Sequence, residues 1–324
     1  MKKVTILGLE TTNATMISGP LDLFIMAGVL WNDIFGEPPT PLFDVEIVTL
    51  DGKEVRCLGN VQMKAHRSIK EVNETDLVLV TSIAPVEQPF EPFYDAIPWL
   101  IDLYEKGTYI AGLCTGTFIL AETGLLDGKT ATTHWGYTAQ FKERYPKVNL
   151  RPEHLITEDD NLFCSGASNA CLDLSLYLVE KFYGRDITVK LAKSYVQDMD
   201  RNFQAPYSVF KFQKNHNDES IKKAQNWIEK NFVKKFNVEE LAAKFGMGRR
   251  TFERHFKACT GDSPLYYTQR NRVEAAKALL EKNNKTLEEV SYEVGYEDTG
   301  FFREIFKKHV GLCPKTYQAK WVTR

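Results

Sequence analysis

Nowhere in these 324 residues is there an apolar run long enough to cross a bilayer. The amino end, Met1-Lys2-Lys3-Val4-Thr5-Ile6-Leu7-Gly8, is too short an apolar stretch for a signal peptide, and Glu10, Thr11, Thr12 and Asn13 break it. Cysteine is sparse and scattered. Cys57, Cys114, Cys164, Cys171, Cys259 and Cys313 show no CxxC spacing, which argues against a zinc site or a disulfide framework and fits a reducing cytoplasm. No metal and no cofactor are therefore expected. A strong charge of one sign is also missing, since the formal net charge is -2. The hydrophobic fraction of 43% with 12% aromatics excludes wholesale disorder, and the length favours two domains.

The near balance of charge conceals an asymmetry. Residues 219–324 hold 21 Lys+Arg against 14 Asp+Glu, a net +7, and residues 1–218 hold 20 against 29, a net -9. A basic carboxyl third on an acidic body points to one domain that faces a polyanion and one that repels it. Ordinary surface variation is the alternative reading.

Along residues 1–202, short β-branched runs alternate with helical stretches. Val4–Leu9, Phe43–Leu50, Leu77–Thr81 and Tyr109–Leu113 read as buried strands; Pro20–Trp31 and Pro98–Lys106 read as helices. The alternation predicts an α/β domain with a mostly parallel sheet covered on both faces. A hairpin around Leu155–Thr157 and Asn161–Cys164 precedes helices over Ala167–Tyr183 and Ile187–Arg201. The polar stretch 203–218 reads as a linker. Residues 219–324 are helical throughout, starting with the stripe Ile221, Ala224, Trp227, Ile228 and Phe232.

That carboxyl third contains a tandem repeat. Phe252-x3-Phe256-Lys257-x3-Gly261-x2-Pro264 recurs as Phe302-x3-Phe306-Lys307-x3-Gly311-x2-Pro314, and upstream Leu241, Phe245, Gly246 and Met247 match Val290, Val294, Gly295 and Tyr296. The offset grows from 49 to 50 across Glu297-Asp298-Thr299, which places the extra residue in or just after a turn. Each copy is a helix, a glycine suited to positive φ, and a second helix. The second helix carries aromatics on one face (Phe252 and Phe256; Phe301, Phe302 and Phe306) and polar groups on the other. Those groups are Arg249, Arg250, Glu253, Arg254 and Lys257 in the first copy, and Thr299, Arg303, Lys307 and Lys308 in the second. Arginine reads guanine edges and lysine suits phosphates, so these are the candidate contacts to double-stranded DNA. Two helical hairpins with solvated basic faces are the bland alternative.

Residues 219–321 resemble the DNA-binding domain of AraC-type regulators: two helix-turn-helix units joined by a connecting helix, here Leu265–Leu280. The segment from Gly295-Tyr296 through Phe301-Phe302-Arg303 to Gly311-x2-Pro314 carries the resemblance most specifically.

In the first domain, Gly112-Leu113-Cys114-Thr115-Gly116 follows a strand and opens a helical run. A nucleophile on such a strand-to-helix turn projects over the sheet edge, near helix amides that favour a thiolate. His134 follows Ala131-Thr132-Thr133 at what reads as the same edge, and Cys with His is the minimum for thiol catalysis. A packing cysteine and a structural histidine are the alternatives for each residue alone.

Residues 1–200 resemble the DJ-1/PfpI superfamily, a flavodoxin-like fold related to class I glutamine amidotransferases, and the whole chain resembles the GlxA-type regulators. The resemblance rests on Gly19-Pro20-Leu21-Asp22, the elbow Gly112–Gly116, Leu125-Leu126-Asp127-Gly128-Lys129-x-Ala131-Thr132-Thr133-His134-Trp135, and Gln204-Ala205-Pro206-Tyr207. It implies an α/β flavodoxin-like sandwich followed by a small all-α domain with two helix-turn-helix motifs. Family enzymes carry a carboxylate where Met16 stands, and the protease-like branch a histidine where Thr115 stands. The elbow is therefore expected to be vestigial: a ligand site formed by Cys114, Thr115, His134 and Met16, not a catalytic one. The expected protein is a transcription regulator acting as a homodimer and responding to a small effector, such as an amino-acid or amine derivative. RNA polymerase is a partner if it activates. A thiol enzyme of amidase, hydratase or glyoxalase type with regulatory DNA binding is the alternative, and a redox sensor using Cys114 a third.

Overall fold

The computed structural model describes residues 1–86, 90–210, 214 and 216–322. The chain divides into two compact units, Met1–Gln204 and Ala205–Arg324.

The first unit is built on seven strands: β1 (Lys2–Leu7), β2 (Phe43–Thr49), β3 (Arg67–Ser68), β4 (Leu77–Val80), β5 (Tyr109–Leu113), β6 (Ile156–Asp159) and β7 (Leu162–Ser165). Their spatial order is β6-β7-β5-β4-β1-β2-β3, and every neighbouring pair is parallel except the β6–β7 hairpin. Helices α1 (Thr15–Met26), α2 (Ala96–Glu105), α3 (Gly116–Glu122), α4 (Ala170–Tyr183) and α5 (Arg185–Tyr195) cover it.

The uninterrupted apolar runs follow from burial on both faces. In β4, Leu77 and Leu79 join the cluster under α1, α4 and α5, while Val78 and Val80 join the one under α2 and α3. The order reverses between β1 and β4, because the chain leaves β1 toward β2 on one side and leaves β4 toward β5 on the other. In open α/β sheets the crevice at such a reversal, at the carboxyl ends of the strands, is where ligands bind.

Two helices differ from expectation: α5 ends at Tyr195 and not at Arg201, because Val196 turns into the left-handed region, and α1 starts earlier than expected. Pro20 reads as a helix start, yet α1 begins at Thr15 and carries Pro20 inside it; Ala14 before it offers no side-chain cap to mark the true start. Gly19 is there for close packing, since a Cβ would lie 2.7 Å from Leu172 Cδ2 on α4.

The second unit holds seven helices among the described residues: α6 (Glu219–Asn231), α7 (Val238–Lys244), α8 (Arg249–Thr260), α9 (Pro264–Glu281), α10 (Leu287–Glu293), α11 (Thr299–Val310) and α12 (Pro314–Trp321). Two apolar clusters form. Ile221, Ala224, Ile228, Leu241, Ala242, Phe252, Phe256 and Tyr267 make the first. Val273, Ala276, Leu280, Val290, Val294, Tyr296, Phe302, Ile305, Phe306, Val310 and Tyr317 make the second. Helix α9 contributes to both.

The linker reading of 203–218 needs correction. Gln204 is buried in the first unit, with Nε2 donating to Thr132 Oγ1 (3.1 Å), the Thr133 carbonyl (2.8 Å) and the His154 carbonyl (3.1 Å). Phe210 is already packed in the second unit, against Tyr267 and beneath the Arg270 guanidinium at 3.9 Å. Lys277, itself buried, donates to the Ser208 carbonyl at 2.5 Å. Polar composition suggested a solvated tether, but Ser208 and Phe210 are bound down by a buried ammonium and by an aromatic ring.

Candidate functional site

The two helix-turn-helix units are α7–α8 and α10–α11. Both turns contain the expected glycine at positive φ, Gly246 at 72° and Gly295 at 91°. The extra residue falls between Gly295 and the cap of α11: Asp298 caps α11 through the Phe301 N–H at 3.0 Å, whereas Gly248 starts α8 without a side-chain cap. Each second helix is held by two fully buried phenylalanines, Phe252 and Phe256 or Phe302 and Phe306. Phe301, expected among the anchors, is 49% exposed on the first turn of α11. Phe302 and Phe306, four apart, share one helix face, and Phe301, one position earlier, is turned about 100° away from it.

The polar faces lie outward. Arg249, Arg250, Arg254 and Lys257 on α8 are exposed, as are Arg303, Lys307 and Lys308 on α11; Glu253 and Thr299 are half-buried. Arg249 is engaged within the protein, bonded to Glu239 and to Glu253 (3.2 Å to the latter). Arg250 and Arg254 form no ion pair among the described residues and share one face at i, i+4 spacing. The repeat also inverts a charge pair: Glu253-Arg254 in α8 corresponds to Arg303-Glu304 in α11. Two helices equally mounted thus present different chemistry.

The second candidate site is the elbow between β5 and α3. Cys114 has φ +56°, in the left-handed region that a side chain rarely adopts. The flanking glycines are dictated by contact. A Cβ on Gly112 would lie 2.8 Å from Thr117 Cα, and one on Gly116 2.3 Å from the Val80 carbonyl oxygen. Cys114 is buried, its N–H donates to the Ser165 carbonyl (3.1 Å), and Thr133 Oγ1 donates to its carbonyl (2.9 Å). Burial pushes the thiol up to about 11, against smaller opposing effects from hydrogen bonds involving Thr115 and Ser168. The thiolate expected from nearby helix amides is thus not the neutral-pH form.

Thr115 is buried and fixed: its hydroxyl donates to the Ile83 carbonyl (2.7 Å) and accepts from the Ile83 N–H (3.0 Å). Met16 is fully buried in the same apolar cluster as Cys114 and Cys171. His134 is half-buried; its Nδ1 accepts the Gly136 N–H (3.0 Å) and its ring stacks on Trp135. The structure therefore places Met16 in the apolar cluster that also holds Cys114, and sets the segment bearing His134 against the elbow through Thr133.

Sequence reasoning missed three groups here. Gln204 ties down the 132–135 segment, also accepting the Trp135 N–H (3.3 Å); its place in Gln204-Ala205-Pro206-Tyr207 was the signal. Ser165 Oγ is buried without a hydrogen-bond partner among the described residues. Asp173, at 8% exposure on the first turn of α4, has its carboxyl pushed up to about 6 by burial, although Arg201 lies 3.5 Å away. Burial outweighs the ion pair because Arg201 remains partly solvated.

The sign of that shift gives a pH prediction. A carboxyl raised from its ordinary 3.8 to about 6 favours folding most below pH ~4 and loses roughly 3 kcal/mol as pH rises through ~4 to ~6. Asp173→Asn should abolish that loss, so the stability difference between variant and wild type should change by about this amount between pH 4 and 7. Parallel pH profiles of thermal midpoint for the two proteins would sink the assignment.

No helix among the described residues is long and apolar enough to cross a membrane, and no group of three or more His, Cys, Asp or Glu there is placed to hold a metal ion.

Residues 39–181 match the DJ-1/PfpI family and residues 241–320 a helix-turn-helix domain family. The chain is similar to the HTH-type transcriptional regulator GbdR of Pseudomonas aeruginosa, 25% identical over 275 residues that cover 85% of this chain and 74% of that one. It is similar to GlxA, an HTH-type transcriptional regulator of Rhizobium meliloti, at 24% identity over 215 residues and 65% of each chain. It is also similar to isonitrile hydratase of Pseudomonas putida, 28% identical over 147 residues that cover 45% of this chain and 62% of the enzyme.

Fold, paired helix-turn-helix units and relatives together define a DNA-binding transcriptional regulator. Its carboxyl domain is an AraC-type helix-turn-helix domain and follows a DJ-1/PfpI domain, with GlxA and GbdR among its relatives.

Proposed function

We propose that this protein is a cytoplasmic one-component regulator in which a small metabolite, bound beside Cys114, changes how α8 and α11 meet DNA. The observation that carries the DNA half is the matched mounting of the two helices: buried phenylalanine pairs beneath, exposed Arg and Lys above. In this reading α8 and α11 enter successive major grooves, which recur every ~34 Å on one face of B-DNA. The inverted charge pair makes the two subsites different in base sequence. Two chains pair about a two-fold axis, the commonest oligomer symmetry, and RNA polymerase is a further partner where the regulator activates.

For the first unit, a protonated buried thiol and a methionine at the acid position support recognition over catalysis. Ser165 Oγ adds a buried polar group with bonding capacity to spare. An amino-acid or amine derivative is the ligand class we favour; the similarity to an enzyme that acts on an isonitrile supports a nitrogen-bearing compound.

Thermal-shift screening of the full chain against amino acids and amines tests this. A ligand present at 100 times its Kd should stabilise by about 2.7 kcal/mol. Cys114→Ser should keep operator binding and lose or alter the ligand response. Turnover of an amide, nitrile or α-oxoaldehyde that vanishes in Cys114→Ser would establish the enzyme reading instead.

A further inference from the structure

The two reading helices stand on separate apolar clusters, and α9 alone joins those clusters along the chain. A single helix of 18 residues, about 27 Å long, can bend, so the angle between the two helix-turn-helix motifs is better fixed if further contacts join them. An exposed ion pair, Lys235 to Glu297 at 2.9 Å, is one such contact, and Arg272, midway along α9, is the more buried one. Its guanidinium donates from Nε to the Phe232 carbonyl (2.7 Å), from Nη2 to the Lys234 carbonyl (3.3 Å) and from Nη1 to the Gly295 carbonyl (3.1 Å). It also lies 4.9 Å from the centre of the Tyr296 ring. Phe232 and Lys234 belong to the loop that closes α6 in the first half; Gly295 and Tyr296 form the turn of the second helix-turn-helix.

A second observation is independent of that side chain. Gly295 is seated on the same loop, for a Cβ there would lie 2.4 Å from the Val233 carbonyl oxygen. Gly246, its counterpart in the first copy, has nothing within 4 Å of its Cβ position. Both glycines serve a turn, and only the second also serves a docking contact. A planar fork with five donors reaches three carbonyls at once, which a lysine ammonium on a flexible stem cannot reproduce with the same geometry.

We propose that Arg272 and the Gly295 seat fix the angle and separation of α8 and α11, so that the domain accepts its two DNA subsites at one spacing only. Arg272 is a positioning residue in this scheme and touches no DNA. The inference rests on the reading that both helices enter grooves. One base pair added between subsites rotates them by roughly 35° and moves them ~3.4 Å apart. A locked pair of helices cannot follow that change; an unlocked pair can.

The test uses the full-length protein and a set of operators with zero, one or two base pairs inserted between the subsites. Wild type should lose about tenfold or more in affinity per inserted pair. Arg272→Ala, normalised to its active fraction, should flatten that dependence to about threefold or less, and Arg272→Lys should lie between. Gly295→Ala, which keeps Arg272 but pushes the turn off its seat, should flatten it as well, and Gly246→Ala should not. If Arg272→Ala and Gly295→Ala both weaken all spacings equally, the residues are merely structural and the proposal fails. Footprints that show only one groove protected per chain would instead remove the two-groove reading on which it stands.

Discussion

Replacing Arg250 and Arg254 together by alanine is expected to lower affinity for a specific operator by roughly 2–6 kcal/mol, at 1–3 kcal/mol for each base-reading arginine. Both are exposed on α8, lie at i, i+4 spacing and form no ion pair among the described residues. Arg249 should matter less, because Glu239 and Glu253 already hold its guanidinium and a base edge must compete with two carboxylates. Lys257→Ala should behave differently again, weakening all sequences alike and lowering the salt slope by about one counterion. Competition binding against specific and random duplexes at several salt concentrations separates the cases. Full operator affinity in the double variant would end the assignment of α8 as a reading helix.

The neighbouring phenylalanines of α11 should separate stability from recognition. Phe302 is fully buried against Tyr296 and Phe306, so Phe302→Ala is expected to destabilise the second unit by about 3–5 kcal/mol. Phe301, 49% exposed, should cost within about 0.5 kcal/mol when truncated. If it faces the groove, as the amino-terminal turn of a reading helix does, Phe301→Ala should nonetheless weaken operator binding through a lost apolar contact, such as one to a thymine methyl. Equal stability losses in the two variants, measured by thermal unfolding of the full chain, would contradict the burial pattern.

These two residues also show what was legible in the chain. Periodicity told helix from strand because burial on both sheet faces leaves continuous runs such as Leu77–Val80, while amphipathic helices leave stripes. The repeat exposed both helix-turn-helix units and placed the extra residue near Glu297, since an insertion shifts a register that the reader can count. Rotation about a helix axis was harder. Two consecutive phenylalanines, Phe301 and Phe302, give no local rule for which of them faces inward. Proline misled at α1 because its usual place at a helix start was taken over its rarer place within one. The elbow was visible as Gly-x-Cys-x-Gly, but the state of its thiol was not, because burial is a property of the assembled cluster. The roles of Asp173 and Arg272 were opaque for the same reason. Each acts on main-chain groups or charges far away in sequence, and such pairings leave no periodic mark.

The way Ser208 and Phe210 are held bears on how sensors and readers of this kind can be recombined. A graft that joined a foreign sensor at Glu219 would discard the ring that covers Tyr267 and Arg270 and the carbonyl that receives the buried Lys277 ammonium. The reading module would then carry an uncovered aromatic patch and a buried cation with one acceptor fewer, Glu274 at 3.0 Å remaining. The seam for exchange falls at Gln204–Ala205, so the polar stretch that looks like packaging between modules travels with the module that reads DNA.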